Sequence, residues 1–94
     1  MYLYNASLIV EESVHNDLII WTKQLLATKS TAVRLLKMLD SPHEGHTYCL
    51  QVEVDSQEDI QELRIGLISE LQQYIDHHHR EKAFLFESVM EYLA

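Results

Sequence analysis

The apolar residues of this chain recur with two different periods, and the order in which the periods alternate restricts the fold more than any other feature. In "YLYNASLIV", residues 2–10, the side chains alternate, with Tyr2, Tyr4, Ala6, Leu8 and Val10 on one side and Leu3, Asn5, Ser7 and Ile9 on the other. A period of two with aromatic and β-branched residues predicts a strand. Val14, Leu18, Trp21 and Leu25 then follow at helical spacing, behind Ser13 as the expected N-cap. Residues 31–39 and 46–54 read as a hairpin around "DSPHEGH", and "DSQED" opens a second helix capped by Ser56. Its stripe, Ile60, Leu63, Leu67, Leu71 and Tyr74, carries that helix to about residue 76, and "KAFLFESVMEY" supplies a last strand of ambiguous register.

The resulting order is β-α-β-β-α-β in 94 residues, the size of one domain. Two glycines and one proline leave little room for long loops, and no linker divides residues 1–94. The expected fold is α+β: a ferredoxin-like sandwich with a four-stranded antiparallel sheet and two helices on one face. Such a sheet leaves its other face uncovered. Alternation places Leu3, Asn5, Ser7, Ile9, Arg34, Leu36, Met38, Cys49, Gln51 and Glu53 there. That mixture is too apolar for a solvated face and too polar for a dry core. A face-to-face homodimer enclosing a partly polar cavity satisfies both.

Charge narrows the partners. Seven basic and 15 acidic residues give −8, which opposes binding to nucleic acid. No apolar run reaches the ~18–20 residues of a membrane helix, and the N-terminus lacks the basic start of a signal peptide. Cys49 is alone. A cytoplasmic protein is expected.

Four blocks, "MYLYNASLIVEESVH", "LATKSTAVRLLKML", "GHTYCLQVEVDSQEDI" and "KAFLF", resemble successive segments of a small bacterial family of unknown function. The family pattern runs Tyr-Asn-Val-Thr, Glu-Ser-Val-His, Leu-Ala-Thr-Gly, Thr-Tyr-Ser-x-Gln and Val-Ala-Phe-Arg-Thr. The resemblance implies a fold similar to the dimeric α+β barrels and brings no catalytic residues with it. The chain departs from the pattern in having only "TKQL" between Trp21 and Leu26, and Leu85 and Phe86 in place of Arg and Thr.

The candidate chemistry is sparse. "DHHHRE", residues 76–81, places three histidines in a row. On a helix their directions differ by ~100°, so they do not converge on one ion, and only His77 and His79 in extended chain share a side. A cation-favouring helix end accounts for them, with His77 and His79 kept as metal candidates. His43 and His46 of "HEGH" read as incidental residues of a turn, and Asp55, Glu58, Asp59 and Glu62 as acids suited to a helix start. The candidate ligand-binding set is Asn5, Ser7, Arg34, Gln51 and Glu53, with Arg34 and Glu53 expected to pair across strands.

The sequence therefore predicts a non-catalytic homodimeric module, with no cofactor, whose open face serves self-association or small-ligand binding. The alternative is a small dimeric-barrel enzyme or cofactor-binding protein, oxygenase-like, in which Asn5, Trp21 and His77 supply suitable residue types.

Overall fold

The computed structural model describes residues 1–94. Strand β1 (Tyr2–Val10) is followed by a 3₁₀ turn (Glu12–Val14) and helix α1 (His15–Ala27). Strands β2 (Arg34–Lys37) and β3 (His46–Val54) form the hairpin. Helix α2 (Gln57–Leu63) continues through a π-helical turn (Arg64–Ile68) into α3 (Ser69–His78), and β4 (Ala83–Glu91) closes the chain. The sheet order is β2-β3-β1-β4 with every neighbouring pair antiparallel, the ferredoxin-like arrangement that the periodicities predict.

The sheet is built on β1. Tyr4, Ala6, Leu8 and Val10 are buried on its helix side, opposite Val52, Leu50, Tyr48 and His46 of β3. Leu18 and Leu25 of α1 and Ile60, Leu63, Leu67, Leu71 and Ile75 of the second helical rod complete the core. That second stripe is spaced 3, 4, 4, 4, so an ideal α-helix would carry it ~60° off line over its length. The wide π turn in the middle takes up this drift. Trp21 and Tyr74, at the outer edge of the core, stack with ring centroids 4.0 Å apart.

On β4 the helix side receives Ala83, Leu85, Glu87 and Val89, which pair with Val10, Leu8, Ala6 and Tyr4. Glu87 is the polar latch of this edge. It accepts from the Tyr4 hydroxyl at 2.6 Å and from Arg64 Nη2 and Nε at 2.7 and 2.9 Å, tying β4 to the π turn. Arg64 and then Tyr4 hold its carboxyl below the usual carboxylate range, and burial together with Glu87 pushes the Tyr4 hydroxyl well up.

Two local expectations change. Ser13 is not the cap of α1: its hydroxyl donates to Glu11 at 2.9 Å within the 3₁₀ turn, and Val14 precedes the helix without a side-chain cap. Strand β2 is four residues long rather than nine, because only Arg34–Lys37 have partners in β3, with Met38 adding one hydrogen bond to the Thr47 carbonyl. The second rod runs to His78, and the last segment stays extended to Glu91. Ser56 does cap its helix, accepting from the Asp59 amide at 3.2 Å.

The two glycines give opposite predictions. Gly45 has φ +80°, and a Cβ there would lie 2.4 Å from the Val10 carbonyl oxygen. Gly66 lies in the helical rod with open space where its Cβ would be. Gly45→Ala should destabilise by at least ~2 kcal/mol, and Gly66→Ala should stabilise by ~0.5–1 kcal/mol, in urea unfolding followed by circular dichroism.

Candidate functional site

Alternation along four paired strands sends one set of side chains away from the helices, and the register sorts that set into cross-strand rows. Met38, Thr47, Ile9 and Phe84 form the first; Leu36, Cys49, Ser7 and Phe86 the second. Arg34, Gln51, Asn5 and Ser88 form the third, and Glu53, Leu3 and Met90 the fourth. All five predicted ligand-set residues therefore share this uncovered face.

The polar centre is connected internally. Gln51 donates its amide to Asn5 Oδ1 at 3.2 Å, and Asn5 donates to the Ser7 hydroxyl at 3.1 Å. Arg34 reaches diagonally to Glu53 at 2.9 Å, and the Tyr92 hydroxyl adds a 3.3 Å bond to the same carboxylate. Arg34, then Tyr92, holds the Glu53 carboxyl below its ordinary value. Asn5 is buried, because neighbouring strands flank it on both sides of the central strand. Cys49 is half-buried with its sulfur 3.9 Å from the Ser7 hydroxyl.

Around this centre the face is apolar and open. Phe84 is 50% exposed, Phe86 59% and Met90 46%, with Leu36 and Met38 exposed on the opposite edge. Sequence reasoning missed the β4 contribution, since "KAFLFESVMEY" has apolar residues at both parities and pairing with β1 alone decides which face each takes. Arg34 and Glu53 are the only charged residues in the four rows, and they pair. Two clefts, of about 360 and 390 Å³, lie off the polar centre: one beside α2 and the end of β3, reaching Glu53 at its margin, the other under Val89 and Arg64.

The histidine run is partly committed to the fold. His79 bonds Asp17 of α1 at 2.6 Å, beside the Tyr74 hydroxyl, which donates to the same oxygen at 2.7 Å. His77 and His78 are exposed in the last turn of α3, and no third metal-ligating side chain joins His77 and His79. Asn5, Trp21 and His77, the oxygenase-like trio, lie apart: Asn5 on the open face, Trp21 against Tyr74 on the helix side, His77 at the helix end.

A second polar cluster was not grouped from the sequence, in which His46 reads as an incidental turn residue. His46 is the first residue of β3 and pairs with Val10, the last of β1, which brings it beside the 3₁₀ turn and the start of α1. There the His15 and His46 rings stack with centroids 3.7 Å apart, His46 Nε2 meets the Glu12 carboxylate, and the Tyr48 hydroxyl lies 2.5 Å from His15 Nε2. Burial, then the neighbouring His46, lowers the His15 pKa, with Lys37 adding to the effect and Glu12 opposing it. Register was the signal that could have located this cluster: end-to-end antiparallel pairing of residues 2–10 with 46–54 places position 46 against position 10.

The family model described as "Domain of unknown function (DUF4286)" matches residues 1–93. The chain belongs to this family. No curated protein matches the DUF4286 chain. It is similar to a solved structure from Thermus thermophilus described as a putative PII-like signaling protein, at 16% identity and a TM-score of 0.42, over 96% of this chain and 89% of that one. No helix of the DUF4286 chain is long and apolar enough to cross a membrane.

The Glu53 carboxylate supplies a direct test of the polar centre. Because its folded pKa is depressed, the pair's contribution is present above the ordinary value of 4.5 and lost as pH falls through the lowered one. Arg34→Ala should move the Glu53 carboxyl pKa upward toward 4.5, read by ¹³C NMR titration.

Proposed function

We propose that this DUF4286 protein is a non-catalytic homodimeric module whose open sheet face seats the same face of a second copy. The polar centre of each copy would then line a shared cavity suited to a small polar ligand. The observation that carries the reading is the charge of the face: a chain of net charge −8 presents a surface whose only charges, Arg34 and Glu53, neutralise each other. A surface kept free of net charge while its aromatic and Met side chains stay exposed fits a protein partner better than water.

Size is consistent with this use. Strands of nine residues spaced ~4.8 Å apart give roughly 500 Å² of flat area, and side-chain relief brings it toward the ~800 Å² per partner of a standard interface. A two-fold arrangement needs no second surface, since the same patch serves both copies. Ligand binding in this reading depends on the dimer: one chain has no enclosed volume over Asn5 and Gln51, and two sheets facing each other would create it.

Sedimentation equilibrium tests the reading. The untagged protein should be a dimer at micromolar concentration. Phe86→Asp, which buries an unpaired carboxylate in the interface, should weaken dimerisation by ~100-fold or more. Ile20→Asp, an equally exposed apolar position on α1, should leave the dimer unchanged. A wild-type monomer at tens of micromolar would overturn it.

A further inference from the structure

We propose that Glu12, His15 and His46 form a binding site for a divalent late first-row metal ion of the zinc class. The site is independent of the open face and stands or falls separately from the reading above.

Three observations carry it. First, the donor set is two imidazoles and one carboxylate, which suits zinc and its neighbours, whereas magnesium and calcium take all-oxygen shells. Second, one ligand atom from each residue lies within 4.8 Å of the other two. Donor atoms around a tetrahedral zinc, at ~2.0–2.1 Å from the ion, sit ~3.3 Å apart, so closing the shell takes an adjustment of at most ~1.5 Å. The Glu12 side chain is 79% exposed and free to swing, and the half-buried His15 and His46 rings, stacked at 15° to each other, turn out of their stack to aim in-plane nitrogens at one ion. Third, the three ligands come from three elements that the sheet holds together: the 3₁₀ turn, the first residue of α1 and the first residue of β3.

The cluster also contains a group that can support a bound ion. The Tyr48 hydroxyl already touches His15 Nε2, so it can hold that imidazole by a supporting hydrogen bond while the other ring nitrogen faces the ion. Three protein ligands with one exposed side leave a position for water, the arrangement of exchangeable rather than sealed zinc sites. Lys37 is a cation close enough to act on His15, and the −8 of the whole chain opposes it in drawing a divalent ion.

This assignment differs from a plain hydrogen-bonded pairing of Glu12 with His46 and Tyr48 with His15, which would hold the same chain segments without any ion. Calorimetric titration of untagged protein with Zn²⁺ separates the two. One equivalent should bind per chain, and excess zinc, ~100-fold above Kd, should raise Tm by roughly 10 °C or more. Glu12→Gln, His15→Ala and His46→Ala should each cut affinity ~10-fold or more, while His77→Ala/His79→Ala should bind as the wild type does. Glu12→Gln changes an exposed side chain, so it reads the site even if a histidine variant unfolds. Absence of stoichiometric binding would overturn the proposal. So would retention of full affinity in Glu12→Gln, loss of binding in the His77/His79 variant, or half an equivalent per chain.

Discussion

Everything in this structure depends on the one-sided burial of β1. The strand lies between β3 and β4, so both of its backbone edges are satisfied by neighbours. Only its two faces remain to be settled. Tyr4, Ala6, Leu8 and Val10 seal one face beneath the helices. A one-residue slip of register would send those four outward and Leu3, Asn5, Ser7 and Ile9 into the core, leaving an amide and a hydroxyl buried among leucines. The helix side therefore fixes the register, and the register in turn composes the open face. The polar row across Asn5 and the apolar rows beside it are consequences of core packing as much as of any ligand.

The parts of the fold that were legible in the sequence are those in which burial imposes a period. β1 and β3 are covered by helices along their whole length, and their alternation reads cleanly. α1 and the rod of α2 and α3 each press one stripe on the sheet, and Ser56 marks its helix start by local chemistry alone. β4 is an edge strand that the rod covers well only over Ala83 and Leu85, after which Glu87 meets Arg64 instead of a hydrophobic neighbour. With Phe84 and Phe86 free to be apolar on the outside, neither parity dominates, and only pairing with β1 resolves it. Ser13 misled for a similar reason: a side chain with capping chemistry had a nearer partner in Glu11.

The candidate sites divide the same way. Asn5, Ser7, Arg34, Gln51 and Glu53 could be grouped from sequence because membership of one sheet face follows from parity within each strand. Glu12, His15 and His46 could not. Two of them precede or open α1, the third follows a turn 31 residues beyond His15, and nothing short of the β1–β3 register brings them together. Runs such as His77–His79 attract notice because they are adjacent in sequence, yet adjacency on a helix separates side chains. Convergence at the ends of paired strands collects donors from distant parts of the chain, and it leaves no local motif.

Charge placement links the two faces. The ion pairs that hold the helical layer, Lys29 with Glu70 and Arg64 with Glu87, are on the helix side, and the unpaired acids other than Glu91 at the end of β4 lie on helices and loops. With the open face neutral, the net −8 is carried by the rest of the chain. If two copies meet sheet to sheet, the acids on the helices of each are separated from those of the other by both sheets. That distance exceeds the ~8 Å screening length at physiological salt, so the repulsion between two such acidic chains is largely damped in this orientation. Any approach through the helices would bring the acids together instead. The net charge that opposes nucleic-acid binding thus also makes the neutral open face the surface of lower electrostatic cost for the approach of a second copy.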